Sequence, residues 1–320
     1  MAQDSHLGPF PLGKLMGIIY QLAEKLEMSE LTVKKYLANA PNKYKVYKIP
    51  KRTYGFRIIA QPAKELKKFQ RAFLDVFDLP VHNSALAYRK SISIKDNAIL
   101  HCKNAYLLKM DLENFFNSIT PDLFWKEWNK TLKILPRTEA QWLELLLFWR
   151  PSKKRNGKLI LSIGAPSSPH ISNFCLFNFD IIMSTKCEAL GITYSRYADD
   201  LTFSTNKKNI LFTIPKFVDS ILTASFDGKL TINKNKTVFS SKAHNRHVTG
   251  ITITNDGNIS IGREKKRIIK HLVHNYKIGT LPPEEIDYLK GLLAFSGHID
   301  PTFIDSLKKN IQQRLSKKYI

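Results

Sequence analysis

The chain has 320 residues, more than one ordinary hydrophobic core supports, so two or three subdomains are expected. Its 50 Lys+Arg against 27 Asp+Glu give a formal net charge of +23 on a composition that is 43% hydrophobic, which describes a packed protein that keeps company with a polyanion, nucleic acid before an anionic membrane surface. Three scattered cysteines, Cys102, Cys175 and Cys187, have no metal-ligand spacing and fit a reducing cytoplasm, while the absence of a secretory apolar region and of any run of ~18 apolar residues excludes export signals and membrane spans from the reading.

Helical spacing is predicted over 12–26 and 29–39, with Ser29 as N-cap of the second helix and Pro41 beyond its end. Residues 44–62 alternate like two strands around a turn at Thr53–Gly55, and a helix follows over 63–78. A strand over 104–116 runs into a turn; Thr120 and Pro121 then open a helix as N-cap and first residue. Another helix is predicted over 137–149, a basic connection with an Asn-Gly turn follows, and 165–191 reads as one long buried helix between Ser168 and Gly191. Two apolar-alternating runs flank Ala198–Asp200. A helix over 215–226, short strands over 230–261 and a basic helical segment from Gly262 complete the chain. Helices interleaved with hairpins predict an α+β fold rather than a doubly wound parallel sheet.

Two adjacent carboxylates, Asp199 and Asp200, occupy the tip of a hairpin in a strongly basic chain, and Asp111 ends an apolar strand. A solvated turn accounts for the pair. If the two turns neighbour each other in one sheet, three carboxylates converge, and hard divalent cations would relieve their repulsion. Two such ions can activate an attacking hydroxyl and stabilise a leaving oxygen, the chemistry of nucleotidyl transfer.

These residues carry a resemblance. "YADD" (197–200), "MDLENFF" (110–116) and "GAPSSPHISN" (164–173) resemble, in order and spacing, the catalytic box, first aspartate motif and nucleotide-pocket segment of reverse transcriptases. "NAILH" (97–101) and "VTG" (248–250) resemble markers of the bacterial retron subgroup. The resemblance implies a right-hand polymerase fold with an antiparallel palm sheet carrying the YADD hairpin. The divisions expected are an N-terminal helical segment 1–40, fingers 41–104, palm 105–124, a fingers/palm insertion 125–158, palm 159–261 and a basic helical thumb 262–320. Asp111, Asp199 and Asp200 would hold two Mg²⁺, or Mn²⁺, with the carbonyl of Leu112 facing a metal. Arg57, Phe116, Gly164, Ala165 and Lys236 would bind dNTP: Arg57 gripping the triphosphate, with Lys51 and Arg52 nearby, Phe116 as a steric gate against a ribose 2′-OH, and Lys236 protonating pyrophosphate. Core packing competes for Phe116, and a solvated lysine for Lys236. Ile163 stands where the family usually has glutamine.

The subgroup markers imply recognition of a cognate structured non-coding RNA, priming from a 2′-OH, and a branched multicopy single-stranded DNA product. Asn97, His101, Val248, Thr249 and Gly250 are expected RNA contacts, although a satisfied polar pair at a seam is an equal reading for Asn97 and His101. Arg263, Lys266, Arg267 and Lys270, with His274, lie at steps of three or four and would form a helix stripe that follows phosphates. A solvated amphipathic surface is the alternative. Tyr276 could stack on bases, and Phe295 reads better as core. A non-catalytic RNA-binding shell is disfavoured by the three intact aspartates. A mobile-intron enzyme is disfavoured by NAILH and VTG and by the short span after the thumb. Further partners implied by the resemblance are a retron effector or toxin protein, host RNase H for template removal, and a role in anti-phage defence, with no membrane.

Overall fold

The computed structural model describes residues 17–51, 55–132 and 134–316, and side chains as far as residue 309. In chain order the elements are α1 (Ile18–Leu26), α2 (Glu30–Leu37), β1 (Tyr44–Pro50), β2 (Phe56–Pro62), α3 (Lys64–Val76), α4 (Ile94–Cys102), β3 (Tyr106–Asp111), α5 (Phe115–Ser118), α6 (Pro121–Thr131), α7 (Arg137–Leu147), α8 (Ser168–Cys175) and α9 (Phe177–Leu190). They continue with β4 (Thr193–Tyr197), β5 (Asp200–Thr205), α10 (Ile214–Phe226), β6 (Val238–Ser241), β7 (Arg246–Val248), β8 (Ile251–Ile253), β9 (Ile259–Ser260), α11 (Arg263–Lys277), α12 (Pro283–Ile299) and α13 (Pro301–Ser316). All strand pairings within the sheets are antiparallel, so the expected α+β class holds. Residues 12–16 of the first predicted helix, and Thr53 of the predicted turn, lie outside the described residues.

The chain divides into two compact units. The first comprises residues up to Val81 together with Asn114–Asn178. Ser29 caps α2 by accepting the Thr32 N–H at 3.2 Å. The ladder of β1 and β2 runs from Tyr44 opposite Pro62 to Pro50 opposite Phe56. α3 buries Leu66, Phe69, Gln70 and Phe73, and Gln70 Nε2 donates to Tyr44 Oη and the Leu146 carbonyl, both at 3.0 Å. Phe124 anchors an aromatic cluster with Trp128, Phe148 and Phe174, ring centroids 5.4–6.0 Å away. Thr120 precedes α6 as expected but makes no side-chain cap, and its hydroxyl is buried without a partner.

The expected single helix over 165–191 is two helices. The Leu176 amide turns back to the Asn173 carbonyl at 3.3 Å, a tighter spacing that ends α8 before α9 begins. α8 buries residues all round, whereas α9 buries only Phe179, Asp180, Met183 and Cys187 on one face. The unbroken apolar run conceals that change of phase.

The second unit comprises His82–Glu113 and the chain from Phe179. Its four-stranded sheet has the order β4-β5-β3-β6, and β7-β8-β9 form a separate three-stranded sheet. Ala98 and Cys102 of α4 pack with Val248, Ile251 and Ile253 of the smaller sheet and with Ile269, Leu272, Leu289 and Phe303 of the last three helices in one hydrophobic core. A two-residue turn, Thr249–Gly250, joins β7 to β8, and both its residues have positive φ, the geometry that matches strand twist. The Thr249 hydroxyl donates to the Ile94 carbonyl at 3.1 Å. The two subgroup markers, NAILH and VTG, therefore meet in this unit.

Lys266 departs from the expected stripe. It is turned inward, its Nζ 2.7 Å from a carboxylate oxygen of Asp300 and over the Phe303 ring. Burial alone would raise the Asp300 carboxyl, but hydrogen bonds from Lys266, Ser260 and Thr302 outweigh it and hold the group below its usual range. Replacing Lys266 by Ala is expected to cost about 1–3 kcal/mol in urea denaturation, because it strips a hydrogen bond from a buried carboxylate. Lys270→Ala, on the exposed face of α11, is expected to stay within about 0.5 kcal/mol.

Candidate active site

β3 and β5 pair so that Asp111 stands directly opposite Asp200, and β4 pairs with β5 so that Tyr197 faces Asp200 across a two-residue turn, Ala198–Asp199. The Leu112 N–H donates to the Asp199 carbonyl at 3.0 Å, which ties the two acidic turns together. The three aspartates that the sequence separates therefore converge in one sheet of the second unit. Leu112 itself is buried, and its neighbour Glu113 donates to the Thr231 carbonyl at 2.9 Å while Asn233 donates to the Asp111 carbonyl at 2.7 Å. This short antiparallel bridge brings Lys236 alongside: its Nζ lies 2.9 Å from Asp111 Oδ1.

The electrostatics follow from the crowding. The Asp200 residue opens to solvent on one side, but protein packed around the carboxyl, together with the negative charges of Asp199 and Asp111, pushes it up to about 6. Lys236 is raised above its ordinary value by the hydrogen bond to Asp111 and by the field of all three carboxylates. An ammonium already seated on Asp111 stands where a cation is wanted, and the all-oxygen donor set suits a hard divalent ion. Among the described residues no group of three or more His, Cys, Asp or Glu side chains is placed to hold a metal ion as it stands.

What holds the turn was not anticipated from the sequence. Arg196, two residues before Ala198, is fully buried with Asp180 of α9. Its Nη2 lies 2.6 Å and its Nε 2.9 Å from the two carboxylate oxygens, and its Nη1 donates to the Ala198 carbonyl at 3.1 Å. Tyr194 donates to the same carboxylate at 2.8 Å. Burial alone would lower the guanidinium, and Asp180 outweighs it. Ala198 has φ +58°, a conformation costly for a residue with a Cβ, so the turn depends on such outside support. The signal was present: an arginine at a core-phase position of an apolar hairpin requires a carboxylate, and Asp180 sits in an apolar helix.

Of the dNTP-binding candidates, Arg57, Phe116, Gly164 and Ala165 belong to the first unit and Lys236 to the second. Arg57 is exposed on β2, opposite Ile49. Arg52 lies outside the described residues, and Lys51 is exposed. Phe115 is buried and Phe116 only half-buried, their rings 5.3 Å apart edge to face. Ile163 contributes its backbone, its carbonyl accepting the Ala60 N–H at 2.9 Å, so the side chain at 163 is not what docks this segment on β2. Gly164 has φ +130° and its missing Cβ would lie 3.1 Å from the Ala60 carbonyl oxygen; Ala165 is buried beside it.

Three RNA-contact expectations need correction. Asn97 and His101 are fully buried: both ring nitrogens of His101 meet serines of the hairpin and Asn97 Oδ1 accepts from Ser195, while Asn97 Nδ2 is buried without a partner, and Val248 is likewise inside the core. Their side chains cannot touch RNA from these positions. Thr249 is half-buried and Gly250 exposed, as are Arg263, Arg267, Lys270 and His274 on α11. Tyr276 is exposed, while Phe295 packs against the core with Lys265 over its ring.

The family profile described as reverse transcriptase (RNA-dependent DNA polymerase) matches residues 49–253. The chain is 47% identical to the retron Ec83 reverse transcriptase of Escherichia coli over 83% of its length and 86% of that protein's. It is 30% identical to the retron Ec73 reverse transcriptase of the same species, over 93% of its length and 96% of that protein's. Among solved structures, a telomerase from Candida albicans shows a TM-score of 0.47 at 13% identity, covering 83% of this chain and 56% of the telomerase chain. With its acidic turns paired across one antiparallel sheet and its motifs in the family's order, the chain belongs to the retron reverse transcriptases, RNA-directed DNA polymerases of the right-hand fold.

Proposed function

We propose that this polymerase copies a cognate structured non-coding RNA, starts from a 2′-OH within it, and makes branched multicopy single-stranded DNA. The observation that carries the catalytic part is the register of β3 on β5, which sets Asp111 opposite Asp200 beside Asp199. In this reading the three carboxylates hold two Mg²⁺ ions, with the Leu112 carbonyl as a further ligand and Mn²⁺ as an alternative. Bound there, the ions would activate the attacking hydroxyl and stabilise the leaving oxygen. Lys236 holds a proton firmly on Nζ while paired with Asp111 and is the donor for departing pyrophosphate. Arg57 offers a forked donor for a triphosphate. Phe116, less buried than Phe115, excludes a ribose 2′-OH, with Gly164 and Ala165 contributing to dNTP binding. We keep the divisions set out above as fingers, palm and thumb.

RNA recognition is assigned to the exposed part of the α11 stripe, Arg263, Arg267 and Lys270, and to the Thr249–Gly250 turn. A stripe of this kind follows phosphates of a folded RNA. Host RNase H, a retron effector protein and anti-phage defence complete the reading on the strength of the retron relatives alone. No described helix is long and apolar enough to cross a membrane.

The decisive experiment expresses the protein with its flanking genomic DNA and extracts the bound nucleic acid. DNA joined covalently to RNA is expected from the wild type and none from Asp199→Asn or Asp200→Asn; RNA alone in all three would overturn the polymerase reading for this locus. Asp200→Asn also has a sign in stability. The carboxyl is raised, so its ionisation weighs against the metal-free fold as pH rises through about 6. The variant is expected to match or exceed the wild-type Tm at pH 7.5 in chelator, and to lose that advantage at pH 4.5. In primer extension, Phe116→Ala is expected to narrow dNTP-over-NTP discrimination by about tenfold or more, as loss of a steric contact allows. Arg267→Ala with Lys270→Ala is expected to flatten the dependence of log K for RNA on log salt by about 1–2.

A further inference from the structure

The buried residues of the NAILH segment do a job that neither RNA contact nor the metal site accounts for. His101 lies between the two strands that carry the acidic turn. Its Nε2 is 2.8 Å from Ser195 Oγ on β4, and its Nδ1 is 2.7 Å from Ser204 Oγ on β5. Ser195 donates to Asn97 Oδ1 at 2.6 Å, and Asn104 Nδ2 donates to Ser204 Oγ at 2.7 Å and to Thr193 Oγ1 at 3.1 Å. Asn206 Nδ2 donates in turn to Asn104 Oδ1 at 3.2 Å. His101, Asn97, Ser195 and Ser204 are all fully buried.

With Asn97 Oδ1 turned to Ser195 and Asn104 Nδ2 turned to Ser204, which leaves Asn97 Nδ2 buried without a partner, the donors and acceptors can be arranged in one direction only. Ser195 spends its proton on Asn97 Oδ1, an atom that only accepts, so its oxygen must accept from the ring. Ser204 receives the Asn104 amide, so its own proton is free for the ring. His101 therefore carries its hydrogen on Nε2 and presents a bare Nδ1. Burial pushes the imidazole down to about 3, so the ring stays neutral.

We propose that His101, locked as the neutral Nε2–H tautomer, is a positioning residue that straps β4 to β5 and so fixes the turn on which Asp199 and Asp200 stand. The strap meets the hairpin through Ser195, while Arg196 points from the next position of the strand to Asp180, so the two turn-bearing strands are gripped through neighbouring residues of alternate orientation. Any displacement of the hairpin moves the carboxylates together. This inference rests on the reading of Asp199 and Asp200 as metal ligands.

Two measurements test it. Imidazole ¹⁵N shifts of the full-length protein, with the His101 signals assigned through Ser204→Ala, should show the Nε2–H tautomer and no titration between pH 5 and 8. The Nδ1–H tautomer, or a ring that titrates near 6.5, overturns the strap. In primer extension on a supplied template, His101→Leu should lower kcat by about 10- to 100-fold, as a misplaced catalytic group does, with dNTP KM changed less than about twofold. His101→Gln, which retains a donor near the Nε2 position, should recover part of the loss. A His101→Leu enzyme with wild-type kcat and only a lower Tm overturns the positioning role. Should that variant fail to fold, the tautomer measurement on the wild type still decides. Full activity in Asp199→Asn would sink the metal-ligand reading instead and leave the tautomer result standing.

Discussion

The acidic turn rests on a buried ion pair. Asp180 and Arg196 are both out of water, and such a pair is stable only when its remaining polar atoms are also satisfied. Here they are: Tyr194 donates to the carboxylate, and the guanidinium reaches on to the Ala198 carbonyl. A pair of this kind contributes little net stability compared with apolar packing, but its geometry tolerates little displacement. That trade suits a hairpin whose first turn residue sits at positive φ and whose second begins a row of like charges. Rigidity is bought where the chemistry needs carboxylates held against their own repulsion.

Around that anchor, the register of β3 against β5 does the rest. Because side chains alternate along a strand, a slip of one residue would send Asp111 and Asp200 to opposite faces. The bridge from Leu112 to Ile232 and the hydrogen bond from Leu112 to Asp199 pin the register at the end where it matters. Lys236 answers the accumulated charge from the side. The same sheet thus creates an unfavourable cluster and supplies a provisional counter-ion to it.

Motifs with a fixed spacing were legible in the sequence because they encode local geometry: the Ser29 cap and the alternation of the strands flanking the acidic hairpin read correctly, although the turn expected over Ala198–Asp200 is only Ala198–Asp199 and Asp200 opens β5. The convergence of Asp111 with Asp199 and Asp200 was permitted by spacing and became definite only through pairing between distant strands. Burial was the harder quantity. For Asn97 and His101 the sequence offers both RNA contact and a polar pair at a seam, and only Ser195 and Ser204 placed opposite them decide for burial, because hydroxyls in a strand give no advance notice of a histidine partner. Lys266 sits in phase with its exposed neighbours, and only Asp300, in a later loop, turns it inward. The break at Leu176 was invisible because apolar residues continue across it on every side.

The β1–β2 ladder has a consequence of a different kind. It is a two-stranded sheet, and it exposes Val46, Ile49, Phe56 and Ile58 along its outer part. Open strand edges flanked by apolar side chains invite pairing with other copies of the chain. Lys45 and Lys48 lie along the same ladder, Lys48 near the Phe56 ring, and Lys51 follows at its end. Their mutual repulsion between molecules works as a guard against self-association, and polyanions that neutralise it would remove the guard. The guard is electrostatic, so salt screens it, and the hairpin is best protected from self-pairing at low ionic strength.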